Sequence, residues 1–389
     1  MAGTKEPRTP SVVVLFHRPI EDPFHGASVT CSGLVEVLRR TVPVEVVSPP
    51  PDERDPVARG RSTAGMTTIR HLLRLVPRLL RSFLSDCAAG HPSRGRAILA
   101  FGAWVAGPAA FWARFRGYAL IYYPQDFIPA VGQSWRASGK LEGELFHRLL
   151  WPVERRTLRH AKLVLVHSES MRDAYRGEGV DPSLLQVYSV PRKVPTLDPS
   201  AVEGWRARLQ LGDSTAVVFV GTFEYSPNVR AFEFIRSKLA PVLVQMAPEV
   251  RLLVVGSGSE GHSRDLPANM RALGAVEDLN GLLWACPVGI APMDTPGGRS
   301  NKIFDYALHG MKVIATAEAA GGMPTSPNIL LSNLDQFADT IRTVVRTVRQ
   351  QGWSNLPRVP DPAYLDYNQR FGSVELGLRV RELLREPTA

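Results

Sequence analysis

The stretch VGIAPMDTPGGRSNKIFDYALHGMKVIAT, residues 288–316, reads as a strand, a loop, a helix and a second strand. Its ends, VGIAPM and KVIAT, are short apolar runs rich in β-forming residues, which is typical of buried strands. Between them, Ser300 is a candidate helix N-cap and Gly310 a candidate helix end, with apolar side chains at helical spacing from one to the other. The stretch therefore predicts one unit of a parallel α/β fold.

The loop of this stretch carries residue types that bind phosphate. A helix that opens after Gly297 and Gly298 presents unpaired backbone N–H groups and the positive end of its dipole to an anion. Arg299 and Lys302 would add positive charge, whereas Asp305 could accept hydrogen bonds from sugar hydroxyls such as those of a ribose. The combination predicts a nucleoside diphosphate as ligand, and the alternative is an ordinary βα loop with an acidic first turn.

Length and composition indicate a globular protein of two domains. The 389 residues are too many for one average domain, and 44% hydrophobic with 21% charged residues is ordinary for a folded chain. Cys31, Cys87 and Cys286 show no C-x-x-C spacing, so we expect free thiols in a reducing compartment. The first ten residues are polar and lack the pattern of a signal peptide, which predicts a cytoplasmic protein.

Positive charge is concentrated in the first half of the chain. Residues 1–195 contain 27 Lys and Arg against 17 Asp and Glu, a net charge of +10. Residues 196–389 contain 19 against 20, a net charge of −1. A basic half predicts an anionic partner there, such as a lipid phosphate, a membrane surface or a nucleic acid. An arginine-rich surface without a partner is the alternative.

Strand-like runs alternate with helical patterns along the whole chain. They are SVVVLFH, VEVVS, AILAF, ALIYY and KLVLVHS in the first half, and AVVFVG, RLLVVG, VGIAPM and KVIAT in the second. Such alternation predicts parallel sheets with helices on both faces. The proline-bearing segment SVPRKVPTLDPS marks a linker between domains 1–195 and 196–372, with a helix in 373–389 packing back on the first. We expect two doubly wound Rossmann-like domains facing each other across a cleft, with ligands at the carboxyl ends of the strands.

Residues 67–87, TTIRHLLRLVPRLLRSFLSDC, predict a basic amphipathic helix. Its apolar positions 69, 72, 73, 76, 79, 80, 83 and 84 share one face, and Arg70, Arg74, Arg78 and Arg81 lie among the rest. A helix of this kind is able to lie in a membrane interface, so the four arginines are candidate contacts to an acceptor or a membrane. The alternative is a helix whose apolar face packs on the first sheet.

A further motif, GSGSEG at residues 256–261, formally matches the G-x-G-x-x-G of NAD-binding sites. The residues after it, HSRDLPANMRAL, are polar and interrupted by Pro267, whereas that fingerprint needs an apolar helix directly behind the glycines. We therefore do not assign NAD binding. The sequence has no P-loop, nucleophile elbow, H-E-x-x-H or D-x-D motif, so we expect neither a metal nor a cofactor.

Four segments of the second half occur in the order and at the spacing seen in nucleotide-sugar glycosyltransferases. They are VVFVGTFEYSPNVRAFEFIRSKLAPVL, RLLVVGSGSEG, NMRALGAVEDLNGLLWACPVGIAPM and GGRSNKIFDYALHGMKVIAT. The chain resembles in particular the group 1, family 4-like branch of the GT-B fold, whose members carry K-x-x-E-x-x-A-x-G-x-P-V-V-A-T in the last segment. The resemblance is strong over residues 160–320 and covers the first half by layout only.

The resemblance implies a set of donor-binding residues, in which Lys302 and Arg299 hold the diphosphate and Asp305 replaces the usual ribose-binding glutamate. Ala275 and Val276 would line the base pocket. The whole implied set is Gly26, Gly221, Thr222, Val276, Gly297, Gly298, Arg299, Lys302 and Asp305. Members often carry an acidic residue where this chain has Gly297, so the resemblance fixes neither the donor-sugar contact nor a retaining mechanism.

In the first half, residues 17–40, HRPIEDPFHGASVTCSGLVEVLRR, look like the loop and first helix that follow the first strand of this fold. His25 and Gly26 should therefore line the cleft. Asp126 stands just past the strand-like run ALIYY, where a carboxylate could deprotonate an acceptor hydroxyl. His17 or His25 could act as the base in place of Asp126. We take Asp126 and His25 as the catalytic candidates. The alternative for Asp126 is a turn former or helix cap.

The predicted function is transfer of a sugar from a nucleoside-diphosphate sugar to an acceptor hydroxyl without a metal. The acceptor would be a glycan, lipid-linked or otherwise anionic, and the enzyme would act in the cytoplasm or peripherally on the inner face of the cell membrane. A nucleic acid partner is not expected, although the basic half leaves it open. A sugar-nucleotide epimerase of the same fold, a non-catalytic nucleotide-sugar binder and an NAD-dependent oxidoreductase are the alternatives.

Overall fold

A computed structural model of the chain describes residues 10–22, 26–50, 64–89, 95–130, 132, 141–189, 192–223, 225–294, 300–352, 358–370 and 374–385. The chain divides into two compact units. The first unit comprises residues 1–53, 65–191 and 371–389, and the second comprises residues 54–64 and 192–370. Each unit has a parallel β-sheet of its own.

Within the described residues, the sheet of the first unit has six parallel strands in the order β2-β1-β3-β4-β5-β6. They are β1 (Ser11–Phe16), β2 (Val44–Val47), β3 (Arg96–Phe101), β4 (Ala119–Tyr123), β5 (Leu163–Val166) and β6 (Leu185–Val187). Side chains of β1 alternate between two hydrophobic clusters, because Val12 and Val14 face one side and Val13 and Leu15 the other. Both faces of the sheet are therefore covered, which explains why its strands are apolar runs.

Helices cover both faces of this sheet. They are α1 (Gly26–Arg39), α2 (Ala64–Ala88), α3 (Ala103–Arg116), α4 (Leu141–His160), α5 (Glu169–Gly177) and α14 (Val374–Arg385). Leu38 of α1 and Val380 of α14 belong to the cluster on one face, whereas α2 to α5 supply the cluster on the other. The guanidinium of Arg381 also donates to the carbonyl oxygen of Thr41 at 3.3 Å. The last described helix of the chain is thus part of the first unit.

The buried carboxylate of Asp86 fixes α2 in its layer. Its two oxygens accept hydrogen bonds from the side chains of Arg96, Trp112, Arg116 and Tyr118. A buried carboxylate is costly unless charged and polar donors surround it, so this network favours one position of the C-terminal half of α2 against β3 and α3.

The sheet of the second unit also has six parallel strands in the described residues, in the order β12-β11-β10-β7-β8-β9. They are β7 (Thr215–Val220), β8 (Val250–Val255), β9 (Met270–Ala272), β10 (Val288–Ala291), β11 (Lys312–Ala315) and β12 (Ile329–Leu331). The chain proceeds outward from β7 through β8 to β9 and then returns to β10 on the other side of β7. This order is that of dinucleotide-binding folds, and it places the switch point between β7 and β10.

The helices of the second unit alternate with these strands. They are α6 (Pro199–Arg208), α7 (Ser226–Phe234), α8 (Ala240–Met246), α9 (Leu279–Ala285), α10 (Asn301–Leu308), α11 (Ala317–Ala320), α12 (Phe337–Gln351) and α13 (Pro362–Arg370). A π turn, Ile235–Leu239, joins α7 to α8 without a break in helical backbone.

The predicted fold class, two doubly wound parallel α/β sheets, is confirmed. The strand, loop, helix and strand of residues 288–316 are β10, the loop before Ser300, α10 and β11. Gly310 ends α10 with a φ of +61°, and a Cβ there would lie 2.5 Å from the carbonyl oxygen of Val359. None of the described helices is long and apolar enough to cross a membrane.

A second buried carboxyl group, that of Glu154 on α4, makes the first unit sensitive to pH. Its Oε1 accepts hydrogen bonds from the hydroxyls of Tyr122 at 2.9 Å and Tyr175 at 2.6 Å, and its Oε2 is buried without a partner among the described residues. Burial raises the pKa of Glu154 from 4.5 to about 7. Between these two values the folded protein holds a proton that the unfolded chain releases, so stability falls as the pH rises from 4.5 through 7.

We expect Glu154→Gln to flatten this pH dependence, because the amide keeps the acceptor oxygen and removes the buried charge. At pH 8 the variant should be more stable than the wild type by about 1–3 kcal/mol, and at pH 5.5 the difference should be smaller. Urea unfolding at pH 5.5, 6.5 and 8.0 measures this, with the exposed-position variant Glu203→Gln as the control. Equal pH slopes for Glu154→Gln and the wild type would contradict the prediction.

Candidate functional site

The candidate site of the second unit lies at the carboxyl ends of β7 and β10, the switch point of the sheet. Gly221 and Thr222 follow β7 directly, and the loop is tied to its neighbour after β8 by backbone hydrogen bonds. The N–H of Gly221 donates to the carbonyl oxygen of Val255, and that of Phe223 to the carbonyl oxygen of Ser257, each at 2.9 Å. The hydroxyls of Thr222 and Ser257 lie 3.1 Å apart. Two adjacent loops therefore form one hydrogen-bonded edge.

Glycine is required on both loops because their backbones pass close to each other. Gly256 has a φ of +136°, and a Cβ there would lie 2.1 Å from the carbonyl oxygen of Gly221. A Cβ on Gly221 would lie 2.6 Å from the side chain of Asn228. The GSGSEG motif is thus a packing element. A 3-10 turn, Ser259–His262, begins within it, where an NAD-binding fold would begin an α-helix.

Lys302, in the first turn of α10, directs its amine to this edge. Its Nζ donates to Asn228 Oδ1 at 2.8 Å, contacts Met293 Sδ at 3.6 Å and lies 4.9 Å from the ring centroid of Phe219. All three groups are neutral. Burial lowers the pKa of Lys302 from 10.5 to about 8. The site therefore holds a largely buried cation that is not paired with a carboxylate among the described residues.

Asn228 connects this lysine to the loop after β7. Its Oδ1 accepts from Lys302, and its Nδ2 donates to the carbonyl oxygen of Thr222 at 2.9 Å. The side chain is 5% exposed, which is unusual for an amide in the first turn of a helix. Asn228 was not predicted from the sequence, because the burial of this polar residue at the start of α7 shows only in the structure. The amide thus both orients Lys302 and fixes the position of the loop after β7.

Asp305, one turn after Lys302 on α10, is already paired. Its Oδ1 lies 3.7 Å from the guanidinium of Arg192, and the exposed fractions of the two side chains are 26% and 20%. The backbone of Arg192 is held in turn by Asn368, whose side chain makes two 2.8 Å hydrogen bonds to the N–H and carbonyl of Arg192. Arg192 was not foreseen from the sequence, because 113 positions separate it from Asp305.

At its start, the loop between β10 and α10 is held against α7 by Asp294. Both of its carboxylate oxygens accept from Arg230 Nε, at 3.1 and 2.9 Å, so the loop begins on the surface of α7. The predicted phosphate-binding residues Gly297, Gly298 and Arg299 lie outside the described residues. Ser300 is at the N-cap position of α10 as predicted, but its side chain makes no capping hydrogen bond.

Val276, predicted to line a base pocket, follows β9 at the same edge of the sheet. It is partly buried against the hydrophobic core of the unit. The segment before it is held by Gly274, whose N–H donates to Ser259 Oγ at 3.0 Å and whose carbonyl accepts from the N–H of Gly256 at 2.8 Å. Thr222, Gly256, Val276 and the start of α10 with Lys302 thus follow four adjacent strands of the sheet.

The catalytic candidates belong to the first unit. Asp126 follows β4, and burial raises its pKa from 3.8 to about 6. His17 follows β1 and is 3% exposed. His167, which follows β5, was not among the candidates, yet its Nε2 lies 3.0 Å from the carbonyl oxygen of Gln125, next to Asp126. His25 lies outside the described residues, and Gly26 is the first residue of α1.

The four arginines predicted to contact an acceptor or a membrane are all on α2. Arg78 donates to the carbonyl oxygen of Ser48 at 3.0 Å, so it also ties the helix to the segment after β2. Arg70 and Arg81 are exposed, and Arg74 is partly buried.

In the part of the chain that the structure describes, no three His, Cys, Asp or Glu side chains come together as metal ligands. A cavity of about 550 Å³ lies at the opposite edge of the second unit, near the start of β7, and is lined by Arg206, Thr215, Glu249 and Arg349 among others. Lys302, Asn228 and Thr222 do not line it, so we do not connect it with the candidate site.

Two family models match the chain. Residues 25–191 match the glycosyl transferase 4-like domain, and residues 214–347 match the glycosyl transferases group 1 domain. The chain belongs to the GT-B glycosyltransferases of group 1. The family predicted from the four segments of the second half is thus confirmed, and the first half, which resembled the family by layout only, also matches it.

Several solved structures have the same fold as this chain. Anabaena HepE in complex with UDP superposes with a TM-score of 0.64 at 16% identity, over 97% of this chain and 99% of HepE. Sucrose-phosphate synthase from Thermosynechococcus elongatus gives 0.65 at 18% identity, over 97% and 98%. WaaG, a glycosyltransferase involved in lipopolysaccharide biosynthesis, gives 0.60 at 14% identity, over 96% and 99%. A search of curated protein sequences gave no significant match.

The contact between the two loops makes Gly256 a sensitive position. We expect Gly256→Ala to destabilise the second unit by about 2–4 kcal/mol, because the methyl group would clash with Gly221 and alanine disfavours the positive φ. Gly204→Ala is the matched control: a Cβ there meets nothing within 4 Å, and alanine favours the interior of α6. Urea unfolding measures both. A Gly256→Ala variant as stable as the control would contradict this account of the loops.

Proposed function

We propose that the protein transfers a glycosyl group from a nucleoside-diphosphate sugar to an acceptor hydroxyl without a metal ion. The observation that carries the proposal is the largely buried ammonium of Lys302, whose partners among the described residues are neutral, at the switch point of the second unit. A buried charge without a counter-ion is costly, and an anionic ligand would offset that cost. A diphosphate at the start of α10 would receive the ammonium and the positive end of the helix dipole together.

The nucleotide is proposed to be a uridine nucleotide. HepE, which has the same fold, was solved with UDP and with UDP-glucose. The diphosphate would lie against Gly221, Thr222 and Lys302, with Gly297, Gly298 and Arg299 completing its site. The ribose hydroxyls would bind Asp305, which must then share its carboxylate with Arg192 or exchange one partner for the other. The base would lie near Val276.

The reaction needs charge stabilisation more than covalent chemistry. The bond between the donor anomeric carbon and the diphosphate oxygen breaks, and the diphosphate leaves with the electron pair. A bond forms between that carbon and the acceptor oxygen, whose proton passes to a base. Lys302 would stabilise the charge that develops on the leaving group, which is the role a metal plays in other transferases. Asp126, with a pKa of about 6, would be ionised at pH 7.5 and able to accept the proton.

The acceptor is proposed to be lipid-linked or otherwise anionic. The net charge of +10 over residues 1–195 supports an anionic acceptor. WaaG, of the same fold, is involved in the biosynthesis of a lipid-linked glycan, lipopolysaccharide. The enzyme would then act on the cytoplasmic side of the cell membrane as a peripheral protein.

Nucleotide binding should depend on Lys302. With UDP at ten times its dissociation constant, the wild type should gain about 1.4 kcal/mol of stability, visible as a rise in melting temperature. Lys302→Ala should weaken UDP binding about 30-fold, since it removes a charge-assisted hydrogen bond of about 2 kcal/mol. Lys312→Ala is the matched control, because Lys312 also donates to an asparagine oxygen, Asn328 Oδ1, but at the amino end of β11. Equal responses of the two alanine variants would contradict the site.

The affinity for UDP should also depend on pH. Because the pKa of Lys302 in the free protein is about 8 and a bound diphosphate raises it, UDP binding takes up a proton above pH 8. Between pH 7 and 9 the affinity should fall about tenfold in the wild type. Lys302→Arg should bind UDP with little change over this range, because a guanidinium stays charged.

A nucleotide panel with GDP, CDP, dTDP and NADH tests the choice of base and the NAD alternative.

Measurements of donor turnover distinguish a glycosyltransferase from an epimerase and from a non-catalytic binder. We expect UDP release from UDP-glucose, UDP-galactose or UDP-N-acetylglucosamine that requires an acceptor, continues in EDTA and falls at least 100-fold in Asp126→Asn. The acceptor panel is a polyprenyl phosphate, a polyprenyl diphosphate sugar and a soluble oligosaccharide. Epimerised sugar without an acceptor would indicate an epimerase, loss of activity in EDTA would refute metal independence, and UDP binding without turnover of any donor would indicate a non-catalytic binder.

A further inference from the structure

The helix α2 has three faces, of which only one is buried. Leu75 and His71 face the core of the first unit at 3% and 8% exposure. Five apolar side chains form a stripe at intervals of three or four residues on the outside, with exposed fractions of 48–69%: Ile69, Leu73, Val76, Leu80 and Leu84. At 100° per residue these five lie within an arc of about 80°, so they make one continuous strip about 22 Å long.

The arginines of α2 occupy the third face. By the same helical geometry, Arg70, Arg74, Arg78 and Arg81 lie within a neighbouring arc of about 80°, between the apolar stripe and the buried face. Periodicity alone allows the apolar residues of α2 either to pack on the sheet or to lie in a membrane interface. The structure divides them, since positions 72, 79 and 83 are partly buried while positions 69, 73, 76, 80 and 84 are exposed.

The helix α3 extends the apolar strip. Phe111 and Phe115 are each 63% exposed, and their ring centroids lie 6.0 Å and 5.6 Å from that of Phe83 at the edge of the α2 stripe. On α4, which packs against α3, Leu149 is 61% exposed. We call the exposed apolar side chains of α2 and α3 the apolar face of the first unit. Contiguous apolar surface of this extent normally marks an interaction site.

Among the described side chains of α2, α3 and the neighbouring α4, every exposed charge is positive. The only acidic residue of α2 is Asp86, which is buried and bonded to four donors, and α3 has no acidic residue. Arg114 of α3 is exposed, as are Arg148, Arg155, Arg156 and Arg159 of α4. A solvated helix surface normally mixes both signs. Exposed leucine and phenylalanine beside arginine, with no exposed acidic side chain in the described parts of these helices, is the pattern of a surface that binds anionic lipid.

We propose that the apolar face docks on an anionic lipid bilayer, with the stripe and both phenylalanines at the level of the acyl chains and the arginines on the phosphates. Two copies of the chain would bring their arginine stripes together, and the resulting repulsion disfavours self-association through this face. The helix is held rigidly by the Asp86 network, so docking needs no refolding of α2. The inference deepens the proposed function and rests on it for the lipid-linked acceptor, but the surface itself is argued from the first unit alone.

The test is sedimentation of the full chain with vesicles of pure phosphatidylcholine or with 30% phosphatidylglycerol. We expect binding to the anionic vesicles and a partition coefficient at least tenfold lower on the neutral ones. The double variant Leu73→Gln with Leu80→Gln should lose at least tenfold in binding, and Arg70→Gln with Arg81→Gln should lose about 10- to 30-fold on anionic vesicles only. Leu378→Gln is the matched control, because this leucine is 51% exposed on α14, which packs on the other face of the sheet.

Absence of binding to anionic vesicles, or equal losses for Leu378→Gln and the Leu73, Leu80 double variant, would overturn the proposal. A dimer in sedimentation equilibrium that the double variant abolishes would overturn it too, by assigning the face to a second copy. A cooperative urea transition close to that of the wild type shows that each variant is folded. If the wild type binds vesicles but shows no nucleotide response, the docking surface is supported and the proposed function is refuted. If it responds to a nucleotide but does not bind vesicles, the proposed function is supported and the docking surface is refuted.

Discussion

Parallel pairing of the described strands constrains everything else in both units. A parallel strand has to be followed by a crossover, and all the strands of one sheet deliver their carboxyl ends to the same edge. In the second unit this brings the loops after β7, β8, β9 and β10 together, although they are spread over more than seventy residues of chain. Thr222, Ser257, Asn228 and Lys302 become neighbours only because of that geometry. The core and the candidate site are thus two consequences of one pairing rule.

Nine of the twelve described strands were predicted from the sequence because the signals for them are local, whereas the three-residue strands β6, β9 and β12 were not predicted. Apolar runs of four to six residues became strands, and the helix after Ser300 begins and ends where its residues suggested. Lys302, Gly221 and Thr222 were assigned through a family resemblance, and the structure brings them to one edge. Their binding roles remain predictions, as do those of Asp126 and Asp305. His25 and residues 297–299 lie outside the described residues.

The contacts that the sequence could not predict are those between distant positions. Nothing near Asp305 indicates that Arg192 lies 3.7 Å away, and nothing near Lys302 indicates Asn228 as its acceptor. The same limit applies to α2, where periodicity identified the apolar positions but could not divide them between core and solvent. That division depends on which sector of the helix the sheet and α3 cover, and five large apolar side chains fall outside the covered sector. The local sequence pattern predicts a helix, whereas the elements that pack against the helix determine which of its side chains are exposed.

The C-terminal helix α14 has a consequence for the order in which the protein is made. Its Leu376, Val380, Leu383 and Leu384 fill the same cluster as the side chains of α1, and they are synthesised after every strand of both sheets. While the ribosome translates the second unit, the first unit therefore has one sheet face only partly covered. The unit that begins first is the last to be completed, and a nascent chain must protect that apolar surface through nearly two hundred further residues of synthesis.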